Sequence, residues 1–95
     1  LLLFTFSINF GVSLFNIIYK ANTVTIDALN RVFLNNKPIT LEELESTLMT
    51  MSREDPDLPV LVRGDERLEY GQVMNVVKIL HKCKIRKMAL VTVEK

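Results

Sequence analysis

Hydrophobic positions along the chain fall into three patterns. From Thr23 to Ala28 they alternate: Val24, Ile26 and Ala28 lie on one side, Thr23, Thr25 and Asp27 on the other. That period of two marks a half-buried strand. Arg31 to Asn35 continues it with Val32 and Leu34. Asn30 separates the two runs and Asn36 closes the second, and asparagine is the non-glycine residue best suited to the left-handed backbone of tight turns. The stretch 23–35 therefore predicts a β-hairpin. A helical period follows, with Leu41, Leu44, Leu48 and Met51 spaced by three and four. It returns at Val73, Val76, Val77 and Leu80, with Met74 beside them. The third pattern is the continuous apolar run, at Val60-Leu61-Val62 and from Met88 to Val93. The first of these predicts a strand covered on both faces.

Local signals fix where the first helix starts. Lys37-Pro38-Ile39 leads into Thr40, a candidate N-cap, with Glu43 three residues on to complete a capping box. Ile39 and Leu44 occupy the positions of a hydrophobic staple. Glu42, Glu43 and Glu45 fall in the first turns, where carboxylates favour the helix dipole, so they read as a solvated face rather than a catalytic one. Pro56, between Asp55 and Asp57, ends the helix. The second helix, Tyr70 to Cys83, is rich in β-branched residues, which are poor helix formers. Tertiary packing must hold it.

The two apolar runs flanking that helix make Leu58–Lys95 a strand–helix–strand crossover, which joins two parallel strands with right-handed sense. The fold class expected is α+β, a β-β-α-β-α-β mixed sheet with two helices packed on one face. The other sheet face, or an edge strand such as 88–93, then needs a cover. That is an argument for a partner or a homodimer.

The first nineteen residues, LLLFTFSINFGVSLFNIIY, carry no charge, and all twelve Lys/Arg and eleven Asp/Glu lie beyond them. As a helix they would span about 28 Å, close to a bilayer core. Thr5, Ser7, Asn9, Gly11, Ser13 and Asn16 interrupt the apolar character, and no basic n-region or small-residue cleavage site marks a secretory signal. Three readings compete: a weak complete membrane helix, the outer part of one followed by an extended segment, or an apolar strand. The second is preferred, because apolar content falls away after Phe6 and Ser13–Tyr19 is rich in β-formers. The division expected is 1–22, a partial membrane helix with an extended juxtamembrane segment, and 23–95, an α+β domain.

Charge adds a polarity. Net charge is +1, but nine acids and three bases lie between Glu42 and Glu69, and five Lys/Arg with no acid between Lys78 and Lys87. Cations at a helix C-terminus are the ordinary explanation, and a binding edge is the alternative. The single cysteine, Cys83, permits no intrachain disulfide, and no Cys/His cluster has metal-ligand spacing. Cys83 reads as a small buried apolar residue, and His81 as a surface or satisfied histidine. Arg63-Gly64-Asp65 spells an adhesion triplet, but it finishes a strand and enters a turn. No Ser/His/Asp set or glycine-rich phosphate loop is present. Neither an enzyme nor a cofactor is expected.

IDALNRVFLNNKPITLEELE (26–45), PVLVRGDERLEYGQVMNVVKIL (59–80) and KMALVTVEK (87–95) together resemble the ExbD/TolR family of bacterial ion-driven motor subunits. The resemblance rests on Asn30 and Asn36, where the family often has Gly, on the helix entry with Pro38, Thr40 and Glu43, on Arg63 and Asp65, with Gly64 where Ala is common, and on Tyr70-Gly71. FNIIYKA (15–21) matches the stretch after the membrane more loosely.

The resemblance implies a single-pass protein of the bacterial inner membrane, with this domain in the periplasm as a homodimer. Its partners would be an ExbB/TolQ-like channel subunit and a TonB- or TolA-like protein, with peptidoglycan as a further one. The proton motive force would drive outer-membrane transport or envelope tethering. The family's proton-carrying Asp precedes a run like Leu1–Phe4, and no acid stands before Asp27 here. The interface candidates are Phe15, Asn16, Ile17, Ile18, Ala89, Leu90, Val91, Thr92 and Val93. The alternative function is a stand-alone cell-wall or nucleic-acid binding domain using the basic 78–87 end. Nucleic acid is not expected, because the aromatics lie mostly in the first nineteen residues, away from that cluster.

Overall fold

The computed structural model describes residues 2–6 and 22–93. Strands β1 (Leu2–Phe6), β2 (Asn22–Ile26), β3 (Val32–Leu34) and β4 (Lys37–Pro38) precede helix α1 (Leu41–Glu54). Strand β5 (Pro59–Asp65), helix α2 (Tyr70–Lys82) and strand β6 (Lys87–Val93) follow. They form one mixed sheet in the order β1-β6-β5-β2-β3-β4. β2, β5 and β6 run parallel, while β1 on β6, β3 on β2 and β4 on β3 are antiparallel.

The steps from β2 to β5 and from β5 to β6 move the same way across the sheet. Right-handed crossovers then bring both helices to one face. A single core cluster confirms it: Val24 and Ile26 of β2, Val60 and Val62 of β5, and Met88 of β6 meet Leu44 and Leu48 of α1 and Val76, Val77 and Leu80 of α2. The α+β class with two helices on one face is thus the one the hydrophobic periodicity implies. In α2 the buried stripe also takes in Ile79, which the spacing had left out.

Both hairpin turns follow from asparagine. Between β2 and β3 the Asp27 N–H donates to the Arg31 carbonyl at 3.0 Å, which leaves Ala28-Leu29-Asn30 as a three-residue loop; the Asn30 N–H donates to the Asp27 carbonyl at 2.9 Å and Asn30 has φ 62°. A turn followed by a left-handed residue is the usual form for that loop length. Leu34 pairs with Lys37, so Asn35 and Asn36 alone connect β3 to β4, with φ 50° and 73°. Two successive positive φ values make a type I′ turn, the tightest hairpin connection. The sequence reads Lys37-Pro38 as a lead into the helix. They form a short edge strand instead, where the missing N–H of Pro38 costs no ladder bond.

α1 begins as its capping signals require. The Glu43 N–H donates to Thr40 Oγ1 at 3.1 Å and the Thr40 N–H to Glu43 Oε1 at 3.0 Å. α2 ends in a Schellman motif: the Ile85 N–H donates to the Leu80 carbonyl and the Lys84 N–H to that of His81, both at 3.0 Å. Leu80 and Ile85, the apolar pair that accompanies this motif, are both buried.

The N-terminal expectation changes. Residues 2–6, read as the outer part of a membrane helix, are extended and pair antiparallel with β6 from Leu2↔Thr92 to Phe6↔Met88. An open strand edge supplies the unmet N–H and C=O groups that an apolar segment can satisfy. Consequently 88–93 is no edge: it lies between β5 and β1. Nor is the second face bare at its centre, where Leu61, Ala89 and Val91 are buried. With β1 added, these positions fall mid-sheet rather than at a margin. Apart from 2–6 and Asn22, the segment 1–22 lies outside the described residues, and Phe15, Asn16, Ile17 and Ile18 lie there too.

Candidate interaction surface

Strand alternation sorts the predicted interface residues of β6. Leu90 packs toward the helices against the core. Ala89 and Val91 point to the opposite face and are buried, while Thr92 and Val93 are half-buried. Beside β6 runs a groove with a cavity of about 350 Å³, walled by Leu68, Tyr70, Val73, Leu90 and Thr92. Tyr70 is 72% exposed as the first residue of α2. A large, rigid aromatic ring standing in solvent beside an apolar groove suits a contact surface.

The residues around Arg63 and Asp65 separate into two kinds. Asp65 ends β5 and is buried; its Oδ1 accepts from the Arg67 N–H at 2.9 Å and from Arg67 Nε at 2.8 Å, and its Oδ2 from Nη2 at 2.9 Å. The hydrogen bonds that Arg67 donates to Asp65, and then the Asp65 charge, push the Arg67 guanidinium above its usual range. Arg67 was missed in the sequence. An arginine two residues past a strand-ending aspartate, across a turn, is the signal that could have found it. Arg63 is exposed, while Gly64 and Asp65 are buried within the strand, so the triplet is not displayed on a loop.

Asp27 performs the same function in the β2–β3 loop. Its Oδ1 accepts the Leu29 and Arg31 N–H groups at 3.0 and 2.9 Å, and its Oδ2 accepts Arg31 Nε at 2.6 Å. Desolvation alone would raise the Asp27 carboxyl, but the Arg31 and Leu29 hydrogen bonds, with the Arg31 charge, hold it below its ordinary value. Asn30, Asn36, Pro38, Thr40 and Glu43 serve the turns, the edge and the cap. They set the scaffold rather than line a site.

At the basic end much of the charge is internally paired. Lys82 meets Glu45 at 3.5 Å, and Arg86 and Lys87 meet Asp57 at 2.8 and 4.0 Å. Lys78, His81 and Lys84 are exposed. Cys83 is buried, and its thiol donates to the Glu45 carbonyl at 3.5 Å. Burial, aided by the Glu45 charge against that of Lys82, pushes the thiol up, so it is not a ready nucleophile at neutral pH. Among the described residues no group of three or more His, Cys, Asp and Glu could hold a metal ion, and no helix is long and apolar enough to cross a membrane.

The family described as "Biopolymer transport protein ExbD/TolR" matches residues 19–95, which include every element from β2 to β6. The chain belongs to the ExbD/TolR family. Among curated proteins, "Biopolymer transport protein ExbD" of Pseudomonas aeruginosa is 32% identical over 69 residues, covering 73% of this chain and 52% of that protein. The protein of the same description from Escherichia coli K12 is 28% identical over 68 residues, 72% of this chain and 48% of its own length. The chain thus spans about half the length of the curated relatives it matches. The apolar strand β5, the capped α1 and the Tyr70 start of α2 are the stretches on which the resemblance rested.

Proposed function

We propose that this chain contributes the periplasmic domain, 23–95, of an ExbD/TolR-like subunit. In this reading 1–22 is its membrane-anchoring and juxtamembrane segment in the bacterial inner membrane. The subunit belongs to a proton-motive-force-driven complex that energises outer-membrane transport or envelope tethering. Its partners are an ExbB/TolQ-like channel subunit, a TonB- or TolA-like protein and a second copy of itself. Its role is mechanical rather than catalytic: it dimerises and takes up an extended partner segment by strand addition.

One observation carries this reading. The outer edge of β6 accepts a five-residue antiparallel strand, β1, beside the groove of Leu68, Tyr70 and Leu90. Main-chain pairing of that kind is tolerant of sequence, and the adjoining groove supplies selectivity for side chains. Residues 2–6 cannot lie on β6 and in a bilayer at once, so anchoring the chain vacates the edge for a partner's strand.

The test is a mixture of isotope-labelled and unlabelled chain in detergent micelles, examined for intermolecular contacts by filtered NMR and for mass by sedimentation. The expected result is a dimer with cross-peaks between 88–93 and an extended segment of the second molecule. A monomer at millimolar concentration, with no contact from 88–93 to another molecule, contradicts the proposal. The cell-wall or nucleic-acid reading of the basic end is weakened by the pairing of Lys82, Arg86 and Lys87 with acids.

A further inference from the structure

A second pocket, away from the Tyr70 groove wall, lies at the carboxyl ends of the parallel strands. Its cavity of about 350 Å³ lies between the β2–β3 loop, the end of β5 and Val93. Three arginines line it, Arg31, Arg63 and Arg67, with two acids, Asp27 and Asp65. Among the described residues of its lining, three cations stand against two anions.

The acids fix two of the arginines without exhausting them. Asp27 engages Arg31 through Nε, which leaves the two terminal amino groups of that guanidinium for another acceptor. Asp65 takes Nε and Nη2 of Arg67. Arg63 makes no ion pair and no side-chain hydrogen bond among the described residues, although it stands in register between Thr25 and Val91. The rest of the lining includes Thr25 and the apolar Ala28, Leu29 and Val93, with Leu29 74% exposed at the loop tip. A planar guanidinium with free donors matches a carboxylate in bidentate geometry, and a short apolar wall accommodates what the carboxylate is attached to.

We infer that this pocket binds the carboxylate of a ligand bearing a small apolar substituent, with Arg63 as the principal partner and Arg31 as the second donor. The ordered acids hold Arg31 and Arg67 in place, so that little side-chain freedom is lost on binding. The site adjoins the end of β6 at Val93, but its arginines lie on β5 and the loops, so it does not depend on strand addition to β6.

The test is a titration of the isotope-labelled 95-residue chain, followed by amide NMR, with N-acetyl-alanyl-alanine, with its C-terminal amide, and with butyrate and inorganic phosphate. Saturable shifts confined to Ala28, Leu29, Arg31 and Gly64 are expected, with the amide binding at least tenfold more weakly than the free acid. Arg63→Gln should weaken binding about tenfold, while Lys78→Gln, a change of an exposed cation outside the pocket, should leave it unaltered. Tighter binding of the dipeptide than of butyrate supports a peptide chain end as the source of the carboxylate, and equal binding supports a free acid. Phosphate binding as tightly as either carboxylate, equal binding by the Arg63→Gln chain, or shifts spread along the basic 78–87 end would overturn the assignment. Arg63 is exposed, so the variant should keep the fold, and unchanged amide dispersion outside the pocket checks this.

Discussion

Lys84 holds a φ of 60° just past the end of α2, at the position where a Schellman motif most often uses glycine. Its backbone bonds the His81 carbonyl, and its side chain is exposed. The left-handed conformation therefore costs the lysine more than it would cost glycine. Lys84→Gly is expected to raise stability by up to about 1 kcal/mol, read as a higher urea midpoint with unchanged slope. Gly64 presents the reverse case. It lies inside β5, and a Cβ there would meet Leu68 Cδ1 and Val73 Cγ2 at 3.6 Å, ordinary contact distance. Glycine in a strand interior lowers stability by roughly 0.5–1 kcal/mol relative to alanine. Gly64→Ala should recover part of that and raise the midpoint of thermal unfolding. A lower midpoint would mean that the packing of Leu68 and Val73 leaves no room for the methyl group.

Among the elements, α1 gives the clearest electrostatic consequence. The Thr40 N–H, then its hydroxyl, hold the Glu43 carboxyl below its ordinary value of 4.5. A carboxyl whose folded value is depressed contributes stability above its unfolded value and loses it as pH falls through the folded one. Asp27, lowered from 3.8 by the Arg31 contacts against a desolvation that raises it, acts in the same direction. Stability should be steady from neutral pH down to about 5 and should decline below the ordinary carboxylate values. Glu43→Gln should flatten that decline relative to the parent chain in urea titrations at several pH values. Thr40→Ala should cost about 1 kcal/mol at neutral pH. An unchanged midpoint for Thr40→Ala would mean the capping box contributes nothing in solution.

The elements also show where sequence reading succeeds. Capping, the staple and the leucine period placed α1 correctly because each signal depends on neighbours within a few residues. The hairpin was found from Asn30 and Asn36, but β4 was missed: two residues carry too little period, and only the paired φ values of Asn35 and Asn36 reveal the turn that creates it. Arg67 was missed because its role depends on the burial of Asp65, which appears only once β5 and β6 are assembled. Pairing between Leu2–Phe6 and β6 spans over eighty residues of chain, and no local pattern encodes which edge such a strand will find. The same apolar run was read as part of a membrane helix because hydrophobicity is the common requirement of both.

For the whole molecule, the order of the sheet determines which surfaces are available. Both crossovers place helices on one face, which concentrates the core between α1, α2 and β2-β5-β6. The β6 side and the carboxyl ends of the parallel strands each carry a pocket of about 350 Å³. The strand added to β6 makes one physical claim, that the outer edge of β6 seats an extended segment. Amide hydrogen exchange along 88–93 in the full chain in water tests it most directly. The amides of β6 that point away from β5 should be protected nearly as well as those that point toward it, because a paired edge closes both ladders. If those outward amides exchange at the rate of an open edge while the inward ones stay protected, β6 carries no strand, and the claim fails.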